Sequence, residues 1–223
     1  MGISVWGIID KFSRMELGLW AVPNARDRNV PATLFLYTIK KFGGCPLSTA
    51  SDMGTEQGQL INIQNVLHQQ FFPTLDIGLV APHISVKSVY NITYHTPLHK
   101  SAALWVWSQV VQAKLDEIFR LNRVHYIRKQ KKIFLPSGGR PIDFWSRPHN
   151  YKGTNQLIRI PKPEIDRLIT EYADPTCLQF GDSETIAVFS AIWGAMGEPE
   201  ISVQSACMVW QAIMQCLSNL NVV

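Results

Sequence analysis

The sequence predicts an α/β fold: short runs rich in β-branched and aromatic residues alternate with longer segments of helical spacing, and two of the short runs close on an aspartate. The first is Val5 to Asp10, VWGIID; after FSRMEL a second follows, Gly18 to Val22, GLWAV, stopped by Pro23-Asn24. These are expected to be adjacent antiparallel strands of a buried sheet. Residues 30–42, VPATLFLYTIKKF, place Leu34, Ile39 and Phe42 near helical spacing, with Pro31 suited to a first turn and Gly43-Gly44 to a stop. LSTASD then reads as a strand ending on Asp52, and TEQGQLINIQNVLHQQFF as a helix with Leu60, Ile63, Val66, Leu67 and Phe71 on one face. LDIGLV, residues 75–80, reads as a further strand. From Pro97 onward Ala103, Trp107, Val110, Val111, Lys114, Leu115, Ile118 and Phe119 recur at helical steps, and so wide an apolar face predicts a largely buried helix. ETIAVFSAIWGAM and SVQSACMVWQAIMQCL read as two short helices, broken by Gly197 and Pro199.

With 223 residues, 46% of them hydrophobic and 17% charged, the chain has the material for a core and lies outside the disordered class. No charge-free apolar run of about 18 residues appears, and MGISVWGIIDKFSR lacks the basic-then-apolar plan of a signal peptide. The expectation is an intracellular protein with no membrane partner. Cys45, Cys177, Cys207 and Cys216 are widely spaced, form no C-x-x-C pair and are expected to be buried thiols.

The net charge of +4 is unevenly spread. Residues 120–152 carry nine Lys or Arg against one acid, whereas residues 153–223 carry three against eight. Such a basic block suits a phosphate backbone, because each neutralised phosphate releases a counterion; it equally suits a solvated connector. In the first case Arg120, Arg123, Arg128, Lys129, Lys131 and Lys132 would bind phosphates, and Tyr126, Phe134 and Trp145 would either stack on bases or pack. The division this suggests is residues 1–122 as an α/β domain, 123–152 as a basic connector and 153–223 as a small helical region. Trp193, Met208, Trp210 and Met214 in that last region could dock a partner or an identical chain, or fill a small core.

Asp10 and Asp52, each at the end of a predicted strand, are the candidate catalytic and metal-binding residues. Two-metal phosphoryl transfer needs several carboxylate oxygens converging on Mg²⁺ or Mn²⁺. The local words add to this. WGIIDKFSRMELGLW followed by SDMGTEQGQL resembles the catalytic core of transposon and retroelement integrases, with a D-x-x-S-R word after the first strand and a D-x-G-T-E word after a later one. Together with GGCPL, LHKSAALWVWSQVVQ and VHYIRKQKK, the wording is most similar to integrase-core proteins of fungal genomes. The resemblance implies a ribonuclease-H-like mixed sheet flanked by helices, with Asp10 and Asp52 as the first two acids of a D,D,E triad. It also implies a turn-forming role for Ser13-Arg14. Glu56 is expected to favour a helix N-terminus over a metal.

The third acid departs from the pattern. The family form S-V-x-N-x-x-I-E is matched by SVYNITYH as far as Asn91, after which Tyr94 stands at the aliphatic position and His95 at the glutamate. A segment lost between Tyr94 and His95 accounts for both departures. The expectation is therefore an integrase-core-like protein of transposable-element origin, formerly a metal-dependent DNA strand-transfer enzyme. Its active site is degenerate, it retains nucleic-acid binding, and it is nuclear if it binds DNA. The chain starts almost on its first strand, so no separate N-terminal DNA-binding module is expected. The alternative is a non-catalytic interaction protein or gene remnant with no role on DNA.

Overall fold

The computed structural model describes residues 3–52, 54–74, 80–86, 98–131 and 133–219, and its architecture is mixed α/β. Residues 75–79 of the predicted strand and the junction at Tyr94 and His95 lie outside the described residues.

β1 (Ser4–Ile9) and β2 (Glu16–Val22) form the expected antiparallel hairpin, with Trp6 opposite Trp20 and their rings 5.8 Å apart. The register slips between Ile8 and Ile9, so Leu17 is left over on β2 immediately opposite the approach to Asp10. α1 (Asn29–Phe42) follows and stops where Gly43 turns left-handed, φ 68°, its N–H returning to the Ile39 carbonyl. Gly44 has a different job from the helix stop that its position suggests. It begins β3 (Gly44–Pro46), and an added Cβ there would run into the Ile158 carbonyl of β6 (Leu157–Arg159), the antiparallel partner of β3.

β4 (Thr49–Asp52), a 3-10 turn at Thr55–Gln57, α2 (Gly58–Phe71) and β5 (His83–Val86) make a crossover unit in which β4 and β5 run parallel. Among the described residues the strands thus join two by two, β1 with β2, β3 with β6, β4 with β5, and no strand has two neighbours. The outer edge of β2 is closed by a side chain instead: the Gln112 amide accepts from the Ala21 N–H (2.8 Å) and donates to the Leu19 carbonyl (3.1 Å).

Gln112 belongs to α3 (Leu98–Val124), whose two ends have opposite surroundings. Ala102, Ala103, Val106 and Val110 are buried, but Ile118, Leu121 and Val124 are 45–58% exposed, so the helix is not buried throughout as its wide apolar face predicts. The reason is reach: α3 outruns the elements that cover it. α4 (Pro141–Ser146), α5 (Lys162–Tyr172), α6 (Ser183–Ala195) and α7 (Ala206–Asn219) complete the order. Val66 is also a correction, being half exposed because the buried stripe of α2 runs through Leu60, Ile63, Gln64, Leu67 and His68.

Two cores result. The first gathers Ala32, Phe35, Leu36 and Ile39 of α1 with Leu60, Ile63 and Leu67 of α2, then Ile158 beside β3 and Ile165 and Leu168 of α5. β6 and α5, from the C-terminal region, help to fill the core beneath α1. The second core packs Ala102, Val106 and Val110 of α3 on Phe189 of α6 and on Val209, Ile213 and Leu217 of α7. Trp193, Trp210 and Met214 line it and so serve packing, whereas Met208 faces out. Of the four cysteines Cys45 is buried, Cys177 and Cys216 half-buried, and Cys207 exposed on the outer side of α7, against the expectation for that residue. Among the described residues no helix is long and apolar enough to cross a membrane.

Candidate functional site at the Asp10 turn and the basic arm

Asp10 leaves β1 into a turn that its own carboxylate organises. Its Oδ2 accepts from the Ser13 N–H (2.7 Å) and from the Ser13 hydroxyl (2.6 Å). Its carbonyl accepts from the Arg14 N–H and its own N–H donates to the Met15 carbonyl, both at 2.8 Å. Ser13 Oγ in turn accepts from the Met15 N–H (3.2 Å), and both Ser13 and Met15 are buried. Ser13 thus has the local turn-closing role the sequence assigns to it.

Arg14 stands at φ 58°, left-handed space that a non-glycine residue occupies at a cost of about 1 kcal/mol or more. What holds it there is distant in sequence: its guanidinium donates to the Pro136 carbonyl. On the other side of the turn Phe12 lies against Gly153, where an added Cβ would strike the ring. The turn that carries Asp10 is therefore gripped at Pro136, within the basic block, and at Gly153, just beyond it.

Between those grips the block has structure of its own. Ile127 and Gly139 form an antiparallel bridge, Ile127 N–H to the Gly139 carbonyl (2.8 Å) and Gly138 N–H to the Ile127 carbonyl (2.9 Å), with Gly138 at φ 80°. The Ser137 hydroxyl accepts from the Gln130 N–H (3.0 Å). The result is a closed arm within the basic segment, described over residues 127–131 and 133–139. Arg128, Lys129 and Lys131 are exposed along it, as are Tyr126 at its base and Ile133 and Phe134 beyond the cations. Lys132 lies outside the described residues.

Two cations near the end of α3, one of them from α1, are stacked on rings. Arg123 sits 5.5 Å from the Phe119 centroid, and Lys41 of α1 lies 5.2 Å from the same ring and 5.4 Å from Phe42. Trp145 of α4 meets Phe42 edge-on at 5.4 Å, so it packs and is not offered to a ligand. Lys41 donates to the Leu17 carbonyl (3.0 Å), the extra residue of the β-bulge. Burial, and then the charge of Arg123, lowers its pKa from the ordinary lysine value. Arg120 is exposed, its Nε reaching back to the Asp116 carbonyl (3.4 Å).

Asp52 closes β4, opposite Val86 of β5. The His83 ring holds that strand pair in register, with Nδ1 2.8 Å from the Thr49 hydroxyl and Nε2 3.2 Å from the Ser51 hydroxyl. Burial keeps the ring's pKa below the ordinary histidine value. Glu56 enters the first turn ahead of α2 and folds back over Gly54, at the positive end of the helix dipole.

No family model, curated protein or solved structure matches the chain. The site rests on its own geometry. That geometry joins the Asp10 turn to the basic arm through Arg14 and Pro136, and joins Arg123 to α1 through Phe119 and Lys41. A divalent cation is poorly served by the described donors: Asp10 Oδ2 is committed to Ser13, and among the described residues no three His, Cys, Asp or Glu side chains gather. Sequence reading passed over Lys41, Gln112, Pro136 and Gly153. Of these, Lys41 had a signal, a cation at the end of an apolar helix beside an aromatic residue; the others act through long-range placement.

Proposed function

We propose that the chain is an integrase-core-like protein of transposable-element origin that binds nucleic acid through the arm and the adjoining end of α3, and that does not cut or join DNA. The observation that carries the binding is the closed arm exposing Arg128, Lys129 and Lys131 beside unpacked rings. Support for the ribonuclease-H-like ancestry is the order of elements: a hairpin, then a helix, then a parallel β4–α2–β5 crossover, with Asp10 and Asp52 following β1 and ending β4. The loss of cutting rests on His95 standing at the glutamate position of the resemblance. With only two carboxylates in the pattern, Mg²⁺ or Mn²⁺ would have too little negative charge to hold it.

The test has two parts. Binding to duplex DNA should weaken linearly on a log–log salt plot, and reversing the charge of Arg128, Lys129 and Lys131 together should abolish it, each lost phosphate contact reducing the slope by about 0.9. Affinity that ignores salt would refute the reading. In Mg²⁺ or Mn²⁺, nicking of supercoiled DNA should not exceed that of Asp10→Asn; activity above that control would mean that catalysis survives.

A second reading, an interaction protein with no role on DNA, is favoured by the exposed Ile118, Leu121 and Val124 on the free end of α3. A self-associating chain indifferent to DNA would select it.

A further inference from the structure

Among the described residues Phe134 is the most exposed large apolar one, at 107% of the reference value, and it stands on an arm whose backbone is closed by the Ile127–Gly139 bridge and the Ser137–Gln130 hydrogen bond. A ring held out in water on a closed arm adds little to the arm's own stability, since among the described residues it is left fully exposed. The order along the segment is Tyr126, Arg128, Lys129, Lys131, Phe134: an exposed ring, three exposed cations, an exposed ring. Duplex DNA satisfies only the cations in this row, because its bases are already stacked on one another and their faces are hidden. An unpaired strand satisfies both components, phosphates on the cations and base faces on the rings.

We propose that the arm binds single-stranded nucleic acid in preference to duplex, with Phe134 and Tyr126 as stacking platforms and Arg128, Lys129 and Lys131 following the backbone between them. The cation row continues into Arg123 and Arg120 at the end of α3, which suits an extended polyanion better than a flat lipid surface, although Ile133 beside Phe134 would suit a lipid as well. The inference rests on the nucleic-acid reading of the arm and narrows it to a class of ligand.

Fluorescence anisotropy on the full chain separates the outcomes. The probes are a labelled oligodeoxythymidine of about 20 nucleotides, a duplex of the same length, and vesicles of phosphatidylcholine with phosphatidylserine. The single strand should bind about tenfold or more tightly than the duplex. Phe134→Ala should weaken single-strand binding about tenfold while leaving duplex binding nearly unchanged, and Phe134→Tyr should restore it. Because the ring is fully exposed, Phe134→Ala should keep the wild-type circular dichroism and melting curve. Equal affinity for both DNA forms, unmoved by Phe134→Ala, would overturn the preference and leave the wider nucleic-acid reading standing. Binding to neither form would overturn both. Capture by the anionic vesicles alone, lost in Phe134→Ala, would overturn both and assign the arm to membranes.

Discussion

Ser13 shows how a single hydroxyl can decide a local geometry. It donates to Asp10 and accepts from Met15 within a buried turn, so Ser13→Ala leaves the Asp10 carboxylate with one hydrogen bond and the Met15 N–H with none from that oxygen. Loss of about 1–3 kcal/mol is expected in chemical denaturation, because buried polar groups that lose a partner are not rehydrated. Gly44→Ala should be as damaging for a steric reason, its new methyl group meeting the Ile158 carbonyl and prising β3 from β6. Faster amide exchange at Cys45 and Ile158 would register that separation. At Asp10 and Ser13 the sequence was informative, since acid, serine and arginine lie within five positions of one another. The Arg14–Pro136 bond was not legible there, because 122 positions separate its partners and nothing in either local word names the other.

Elements with a periodic apolar face were readable, and elements defined by a remote partner were not. α1, α2, α3, α6 and α7 announce themselves by spacing, and the β1–β2 hairpin by two apolar runs close together. β3 and β6, three residues each, exist because they find one another across more than a hundred positions, and no such short run shows a period. α5 could have been read from Pro163 in its first turn, from Ile165, Leu168 and Ile169, and from the Glu164–Arg167–Glu171 ladder. Two predictions belong at this scale. His83 sits among Thr49 and Ser51 with its charged form disfavoured by burial, so the unfolded chain takes up a proton near pH 6.5 while the folded chain does so only at lower pH. The contribution to stability is therefore complete above about pH 6.5 and is lost as the pH falls through the folded value; His83→Gln should flatten that part of the stability profile. Gln112→Ala should leave Ala21 N–H and Leu19 carbonyl on an open strand edge, seen as loss of amide protection at Ala21.

Among the described residues the two larger cores are separate: one lies under α1, α2 and α5, the other between α3, α6 and α7, and α3 runs from the second of them to the edge of β2 through Gln112. Phe189→Ala should empty part of the second core, at about 3–5 kcal/mol, and a near-ultraviolet signal from Trp105 and Trp193, which pack on or near that ring, would report it. Nucleic-acid affinity should survive that change as long as α3 stays helical. Such a helix is a ruler. From Leu98 to Val124 it runs 27 residues, about 40 Å at the usual rise, and so sets both the distance and the angular phase between the α6–α7 pair and the cations of Arg120 and Arg123. Adding about seven residues to its exposed stretch would lengthen the span and keep those side chains on nearly the same face, whereas adding about two would turn them to the opposite face of the helix. Whatever α6 and α7 are fastened to, the helix would hold a bound strand at a fixed pitch from it.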